Sequence, residues 1–452
     1  MKQLFIVLGL VATVFFANAL LTISGCNTPG SGESSSSISN TYAILPTDLA
    51  AMKQADANLF SWQTFIAVNW PANINTCGAD TSNGNNILSG KGPVVWETYL
   101  NSEQVFVTAP AVPDSWCMVS KTSNHFKSLP QKVQDLANKT GVYRFIHRTS
   151  KSPHGLDQAV GGPLVDQNGR FVRYEVRINQ DEYNYIIKNT LWDTAGQRTF
   201  SKTSTVSFPA GPTAAYGPVG AMEFKAAWKI LGKGDDPSRF YKIQAIVYND
   251  DSGDPSPGEN PVTLGLVGLH IAHKTATQGD WVWSTFEQVD NLTKSFYNPG
   301  CKTCPVNQPI QGSNIKELDP SGKPLHAPTQ VTRVNPVNDP SADSLNTYFQ
   351  TLLKGSVWAN YKLISTQWML FEDIAPPFLA SSVQETYIQG PHPASYGKVT
   401  VKAGQNYFQS SEYNPFAPGI SASCMACHYA AALPIAPTIK ADFSFLLYEA
   451  KH

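Results

Sequence analysis

Two patterns of apolar residues alternate along the chain and predict different elements. Apolar residues recur at helical spacing over residues 49–66, directly after Asp48, which we predict to cap a helix, and again over residues 345–353. Apolar and polar residues alternate over residues 171–179 and 223–230, which predicts strands. In the first of these strands, the alternation places the three charged residues on the opposite side from the apolar ones.

Further strands are predicted over residues 241–248, 262–273, 281–283 and 361–369, and a short helix over residues 181–192. Consecutive strands without regular helices between them favour an antiparallel sheet or sandwich over a Rossmann or barrel fold. The pattern therefore predicts an α+β fold class with an antiparallel β-rich body and peripheral helices.

The first residues have the pattern of an export signal. A positively charged start at Lys2 is followed by an almost wholly apolar run over residues 4–23, and small residues precede Cys26. This arrangement resembles a bacterial lipoprotein signal, in which the cysteine is lipidated. The resemblance implies a signal peptide over residues 1–25, a flexible Gly/Ser-rich tether over residues 26–42 and a membrane anchor through the lipid on Cys26.

Two other interpretations of this region stay open. Ala17-Asn18-Ala19 is an A-x-A site for ordinary signal peptidase. The apolar run is also long enough for an uncleaved anchor, since a membrane-spanning helix needs about 20 residues. All three interpretations place the folded part outside the cytoplasm. In the lipoprotein interpretation, Asn27 in place of an aspartate favours the outer membrane of a Gram-negative cell.

Near the C-terminus, Cys424, Cys427 and His428 form a C-x-x-C-H sequence. Two cysteines at this spacing form thioether bonds to a c-type haem, and the adjacent histidine ligates the iron. The alternatives are a plain disulfide and half of a zinc site, but zinc usually takes a second Cys/His pair at short spacing. The sequence therefore predicts one covalent haem c with His428 as the proximal ligand, carried on a C-terminal haem-bearing helical segment.

The chain resembles the bacterial mono-haem c-type cytochromes. Beyond C-x-x-C-H, the segments FSWQTF (residues 60–65) and WVWSTFE (residues 281–287) are similar to lipoprotein-like members of this family whose function is uncharacterised. The resemblance implies haem binding and electron transfer and no further activity.

The chain has seven cysteines. Lipid would use Cys26 and haem would use two, which leaves an even number in a compartment that permits disulfides. The simplest pairing joins Cys77 to Cys117 and Cys301 to Cys304, although sequence alone does not fix the connectivity. For the second pair, a structural loop staple is favoured over a redox-active dithiol.

The charge of the chain is nearly balanced. The 452 residues include 33 Lys and Arg against 34 Asp and Glu, so the formal net charge is −1 and no nucleic-acid partner is expected.

The chain divides into three regions after the tether. We predict a β-rich α+β body over residues 43–297, a Pro-rich loop over residues 298–340 and a C-terminal cytochrome c haem-bearing region over residues 341–452 that packs on the body.

The position of the C-x-x-C-H sequence limits the second axial ligand. In small cytochrome c domains the motif lies near the start and a ligating methionine follows it, whereas residues 429–452 contain no methionine. A distal ligand would therefore come from upstream. We select His270, in an apolar strand that also contains His273; the other candidates are Met222, Met369 and His392.

Three functions follow from these features. The favoured one is an extracytoplasmic electron-transfer protein that is anchored to a membrane and serves an unknown redox partner protein. The second is a haem enzyme, peroxidase-like or acting on a small molecule, with an open distal site, because the body is larger than an electron carrier needs. The third is a partner-binding lipoprotein in which the haem is auxiliary.

Overall fold

A β-sheet is the centre of the protein in the computed structural model, which describes residues 38–50, 53–82, 84–117, 122–147, 162–248, 260–310, 315–333, 339–368, 380–387, 424–429 and 431–451. Eight strands form this sheet, in the order β10-β9-β8-β6-β5-β3, with β7 beside β8 and β4 beside β7. Among the described strands of the sheet, β4 and β7 run parallel and the other pairs are antiparallel. Helices accompany the sheet, so the α+β class is confirmed.

The strands are β1 (Ala72–Asn73), β2 (Gly78–Ala79), β3 (Leu100–Asn101), β4 (Phe145–Ile146), β5 (Arg173–Ile178), β6 (Met222–Ile230), β7 (Lys242–Val247), β8 (Val262–His273), β9 (Val282–Gln288), β10 (Tyr361–Gln367), β11 (Ala432–Leu433) and β12 (Ala436–Lys440). The pairs β1–β2 and β11–β12 are separate two-stranded sheets.

The α-helices are α1 (Gln54–Val68), α2 (Ser102–Val105), α3 (Asn124–Ser128), α4 (Gln131–Thr140), α5 (Gln180–Lys188), α6 (Thr194–Phe200), α7 (Pro340–Leu352) and α8 (Cys424–His428). Short 3₁₀ helices cover Asn40–Ala43, Ile87–Ser89, Val95–Thr98, Pro237–Arg239, Val357–Asn360 and Phe445–Glu449, and a π-helical turn covers Asn291–Ser295.

Helices α1 and α7 cover one face of the sheet, here called the helical face. Phe65 of α1 stacks on Phe286 of β9 with ring centroids 4.2 Å apart, and Trp62 lies between Phe286 and Phe349 of α7. Trp62 also donates a hydrogen bond from Nε1 to Asn346, at 3.1 Å. These contacts place the largest aromatic side chains of α1 in the main core.

The start of α1 differs from the sequence prediction. Asp48 does not cap the helix, which begins at Gln54 with Lys53 before it. The carboxylate of Asp48 instead accepts hydrogen bonds from the backbone and the hydroxyl of Thr277, at 2.9 and 2.6 Å. The carboxylate of Asp48, which the local pattern predicts to cap the helix, therefore binds Thr277, a residue distant in sequence.

The opposite face of the sheet is here called the C-terminal face. Strand register places Gln367, Trp283, Ala272, Glu223 and Ile178 side by side across β10, β9, β8, β6 and β5. A hydrophobic cluster on this face includes Trp283, Ala272 and Ile178 together with Met425, Leu433, Leu446 and Leu447. The chain after residue 424 therefore packs on this face.

Strand β10 links the regions that the sequence divided into a body and a C-terminal part. It pairs with β9 from Tyr361–Gln288 to Gln367–Trp283. The described residues from Ile38 onward group as one compact unit. Within the described residues of the Pro-rich segment before Asp339 there is no helix or strand, only isolated bridges such as Val306–Gln330.

The charged residues of β5 are buried, although the sequence pattern placed them on the side of the strand opposite its apolar residues. Arg173, Glu175 and Arg177 are each at most 6% exposed. Glu175 accepts hydrogen bonds from Arg144, from Arg177 at 3.2 Å and from the indole of Trp228 at 2.9 Å. Burial raises the pKa of Glu175, but Arg144 and Arg177 outweigh it, so the carboxyl pKa is lowered and the group stays ionised.

His273, at the end of β8, belongs to the helical face. It is 1% exposed, its ring stacks on Phe60 at 5.6 Å, and Nε2 lies 3.2 Å from the carbonyl of Val219. Because a carbonyl only accepts, Nε2 carries the hydrogen. Burial lowers the pKa of His273 to about 4, so the folded protein holds a neutral ring.

We expect Phe65→Ala to lower the free energy of unfolding by about 3–5 kcal/mol, because it leaves a cavity beneath a fully buried ring. Leu59→Ala on the same helix is the matched control: Leu59 is 37% exposed, and its loss should cost less than about 1 kcal/mol. Chemical denaturation of both variants measures the difference, and equal losses would contradict the assignment of the core.

His273 should also make stability depend on pH. The unfolded histidine has a pKa near 6.5, above the folded value, so the unfolded state gains the proton first. Stability should fall by about 3 kcal/mol as pH decreases from about 6.5 to about 4. His273→Gln keeps a donor but cannot titrate, so its stability profile should lack this decrease. Parallel denaturation profiles of the two proteins would refute the assignment.

Candidate functional site

Helix α8 holds the C-x-x-C-H residues against the C-terminal face of the sheet. The backbone N–H of Cys424 donates to the side-chain oxygen of Gln367 at the end of β10, at 2.8 Å. Cys424 is 8% exposed and Met425 is fully buried in the cluster on this face. Cys424 and His428 are four residues apart, which brings them to one side of a helical turn. The side chain of Cys427 lies outside the described part of the chain.

The ring of His428 is oriented by a backbone carbonyl. Its Nδ1 lies 2.8 Å from the carbonyl oxygen of Phe443. A carbonyl can only accept, so Nδ1 carries the hydrogen and Nε2 of the neutral ring carries the lone pair. Metal-ligating histidines typically donate their other ring N–H to such an oxygen, which fixes the tautomer and the orientation. His428 is therefore prepared to bind a metal through Nε2.

The turn that presents this carbonyl has an unusual backbone. Asp442 and Phe443 both have positive φ angles, 52° and 68°, which non-glycine residues rarely adopt. The carboxylate of Asp442 accepts from the backbone N–H of Phe208 at 2.6 Å and forms an ion pair with Lys274. Burial raises the pKa of Asp442, and Lys274 partly offsets that effect. These contacts hold the turn in a conformation that costs free energy, which is a common property of functional sites.

Two aromatic rings flank the imidazole of His428. The centroid of Trp283 lies 4.4 Å away and that of Phe445 lies 5.2 Å away. Trp283 is on β9, and Phe445 follows the turn that supplies the carbonyl. The imidazole thus has apolar neighbours from the sheet and from the C-terminal segment, and such neighbours exclude water and lower the local dielectric.

His270 lies on the same face of the sheet as Trp283. Its register partners are Lys225 and Thr285, whereas Trp283 is opposite Ala272. His270 and Trp283 are therefore diagonal neighbours, a relation that places Cβ atoms about 7–8 Å apart. Nε2 of His270 lies 3.5 Å from a carboxylate oxygen of Glu385, and the side chain is 17% exposed.

The other histidine and methionine candidates for the distal ligand do not lie near His428 in the described structure. His273 and Met222 lie opposite one another in the β6–β8 pair, and both side chains are fully or almost fully buried. Met222 is part of the core under the helices, so both residues are on the helical face, away from His428. Met369 and His392 lie outside the described residues.

Two disulfides are present. Cys77 pairs with Cys117, with Cα atoms 5.8 Å apart, and Cys301 pairs with Cys304, with Cα atoms 5.6 Å apart. Both pairs coincide with the simplest pairing inferred from the sequence. Cys26 lies outside the described residues.

The sequence did not reveal the residues that support Cys424 and His428. Gln367 holds Cys424 through a side-chain amide and Phe443 orients His428 through a backbone carbonyl, and neither stands in a recognisable motif. The positive φ angles at Asp442 and Phe443 have no glycine to mark them. Trp283 appeared in a predicted strand and in the WVWSTFE segment without a role of its own, and the register of β9 is what brings it to the site.

Within the described ranges, no helix is long and apolar enough to cross a membrane, and no three His, Cys, Asp or Glu side chains cluster as a metal site would require. Comparison with known proteins adds no relative: no family model, curated protein or solved structure matches this chain.

Proposed function

We propose that this protein is an extracytoplasmic c-type cytochrome that binds one covalent haem and transfers electrons. The observation that carries the proposal is the hydrogen bond from Nδ1 of His428 to Phe443, within a C-x-x-C-H sequence, because this bond selects the tautomer that an axial ligand needs. A bound haem c would supply a one-electron redox centre.

The residues present fit such a group. Cys424 and Cys427 would hold it through their thiols, and His428 would ligate its iron through Nε2. Trp283 and Phe445 keep the imidazole among apolar atoms, and its hydrogen bond to Phe443, in the turn that Asp442 anchors, orients the ring. Low polarity and a fixed ligand both tune the potential of a redox centre.

His270 is the proposed distal ligand. It lies on the face that carries Trp283, and the nearby carboxylate of Glu385 would orient its ring and make it a stronger base, as carboxylates do for metal-bound histidines. Glu385 is itself fixed, since it accepts a hydrogen bond from the backbone of Ser381 at 2.8 Å.

A haem oxidoreductase is the second candidate. Lys225, His270 and Thr285 lie side by side on the C-terminal face, and Lys225 and His270 are only partly buried. Such a polar row beside the motif is typical of a site that binds a small polar ligand next to a cofactor. In this alternative, His270 would act on the ligand instead of binding iron.

For localisation, we propose attachment to a bacterial membrane through lipid on Cys26, with the folded part outside the cytoplasm and the outer membrane favoured. The two disulfides support an oxidising compartment, since such bonds are rare in the cytosol.

The haem proposal predicts that Cys424→Ala/Cys427→Ala abolishes covalent haem. The protein is produced in a bacterium with the c-type haem attachment machinery, and its mass and its haem absorption after denaturation are measured. Wild type should carry one haem and the variant none, because the thioether bonds cannot form. Cys301→Ala/Cys304→Ala is the matched control and should keep the haem. A wild-type protein without covalent haem would refute the proposal.

The ligand proposal predicts that His270→Ala changes the coordination of the iron. Wild type should be low-spin and unreactive to carbon monoxide, whereas His270→Ala should be high-spin and should bind carbon monoxide, because one axial position opens. His273→Gln, on the opposite face, should keep the wild-type spectrum. If wild type itself is high-spin and binds carbon monoxide, the oxidoreductase candidate is favoured over the electron carrier.

A further inference from the structure

Two carboxyl groups, Glu182 and Glu223, meet next to the candidate site, and Glu223 is partly exposed with Oε1 buried. Glu182 lies in the first turn of α5 and is 0% exposed. Glu223 lies on β6, on the C-terminal face, one strand from Ala272. Among the described residues, no N–H or hydroxyl donor reaches either carboxyl oxygen of Glu182 or Oε1 of Glu223. What faces Glu182 is the carboxyl group of Glu223.

Two carboxylates cannot satisfy each other unless at least one holds a proton. A protonated carboxyl has an O–H to donate, and an ionised one has only acceptors. Burial is the main reason that the pKa of each group is raised. One carboxyl must therefore donate to the other, and the repulsion from a second negative charge keeps one proton on the pair. The pair titrates as a unit.

The surroundings of the pair come from several elements. Ser444 donates a hydroxyl hydrogen bond to Glu223 and Lys225 attracts it, and both favour the ionised form. The negative charge of Glu449 raises the pKa of Glu223. The negative charge of Asp442 likewise raises the pKa of Glu182. Asp442 is in turn paired with Lys274. Charges of both signs therefore act on the pair, and a change in a neighbouring charge would change its proton affinity.

The pair is connected to the ligand-bearing segment through two consecutive residues. Ser444 bonds to Glu223, and the preceding residue, Phe443, accepts the hydrogen bond from His428. Trp283, which contacts His428, is in the same cross-strand row of the sheet as Glu223, with Ala272 between them. Only Ala272 separates Glu223 from Trp283 in this row, and charges in a partly buried region are screened less than charges in water.

We propose that the Glu182–Glu223 pair is a proton-binding site coupled to the redox state of the haem, so that the protein takes up a proton when it is reduced and releases it when it is oxidised. This inference rests on the proposed function. As one electron arrives from the redox partner, the pair accepts one proton from the solvent and both carboxyls become neutral. Oxidation reverses both transfers, so charge balances in each direction.

The sign of the coupling follows from electrostatics. A deprotonated pair places an additional negative charge near the redox centre and disfavours the added electron. The midpoint potential should therefore be higher at low pH, where the pair is fully protonated, and should fall as pH rises through its titration.

The test is the midpoint potential of the haem-loaded protein from about pH 5 to about pH 9, a range that covers buried glutamates. Wild type should show a falling segment, with the equilibrium constant for reduction changing by at most about tenfold per pH unit for one proton per electron. Glu182→Gln and Glu223→Gln should remove it, and Asp343→Asn, an exposed acid on α7, should leave it unchanged. A flat wild-type profile, or variants with the wild-type slope, would overturn the coupling.

A second measurement separates this inference from the haem proposal. Infrared spectroscopy at neutral pH should detect a protonated carboxyl in wild type and in Cys424→Ala/Cys427→Ala, because the pair does not need haem to hold its proton. The band should be absent from Glu182→Gln. Absence of the band from wild type overturns the inference even if haem is attached. A protein that has the band but never carries haem overturns the coupling together with the proposed function.

Discussion

The structure depends on one central constraint: the middle strands of the sheet are almost wholly buried on both faces. Helices α1 and α7 cover one face through stacked aromatic rings, and the chain after residue 424 covers part of the other. A polar side chain that such a strand buries cannot reach water, so it needs a partner inside the protein. The ion pairs of β5, the contacts of Trp283 and the carboxyl pair all follow from this requirement.

The buried charges satisfy the requirement in two different ways. Glu175 stays ionised because arginines surround it, and an ion pair with good geometry offsets the loss of hydration. Among the described residues, no cation pairs with Glu182, and burial favours its neutral form instead. The first arrangement is rigid and insensitive to pH near neutrality. The second can gain or lose a proton, and it lies where the C-terminal segment meets the sheet.

The candidate site combines residues of the C-terminal segment with residues of two strands of the sheet. Helix α8 supplies Cys424 and His428, a following turn supplies the carbonyl of Phe443, and strands β9 and β10 supply Trp283 and Gln367. None of these pieces could orient the imidazole alone. Packing of the C-terminal segment on the sheet brings the supporting groups together, and the anchored turn at Asp442 keeps them there.

The sequence by itself determined what depends on near neighbours. The spacing of Cys424, Cys427 and His428 named the proposed cofactor, and period-two and period-3.6 patterns located β6, β8 and α7, because these signals arise within a few residues. The fate of the charges on β5, the replacement of the Asp48 cap by Thr277 and the hydrogen bond from His428 to Phe443 were decided by tertiary structure. Each depends on a partner whose position is set by packing and strand register, which no local pattern encodes.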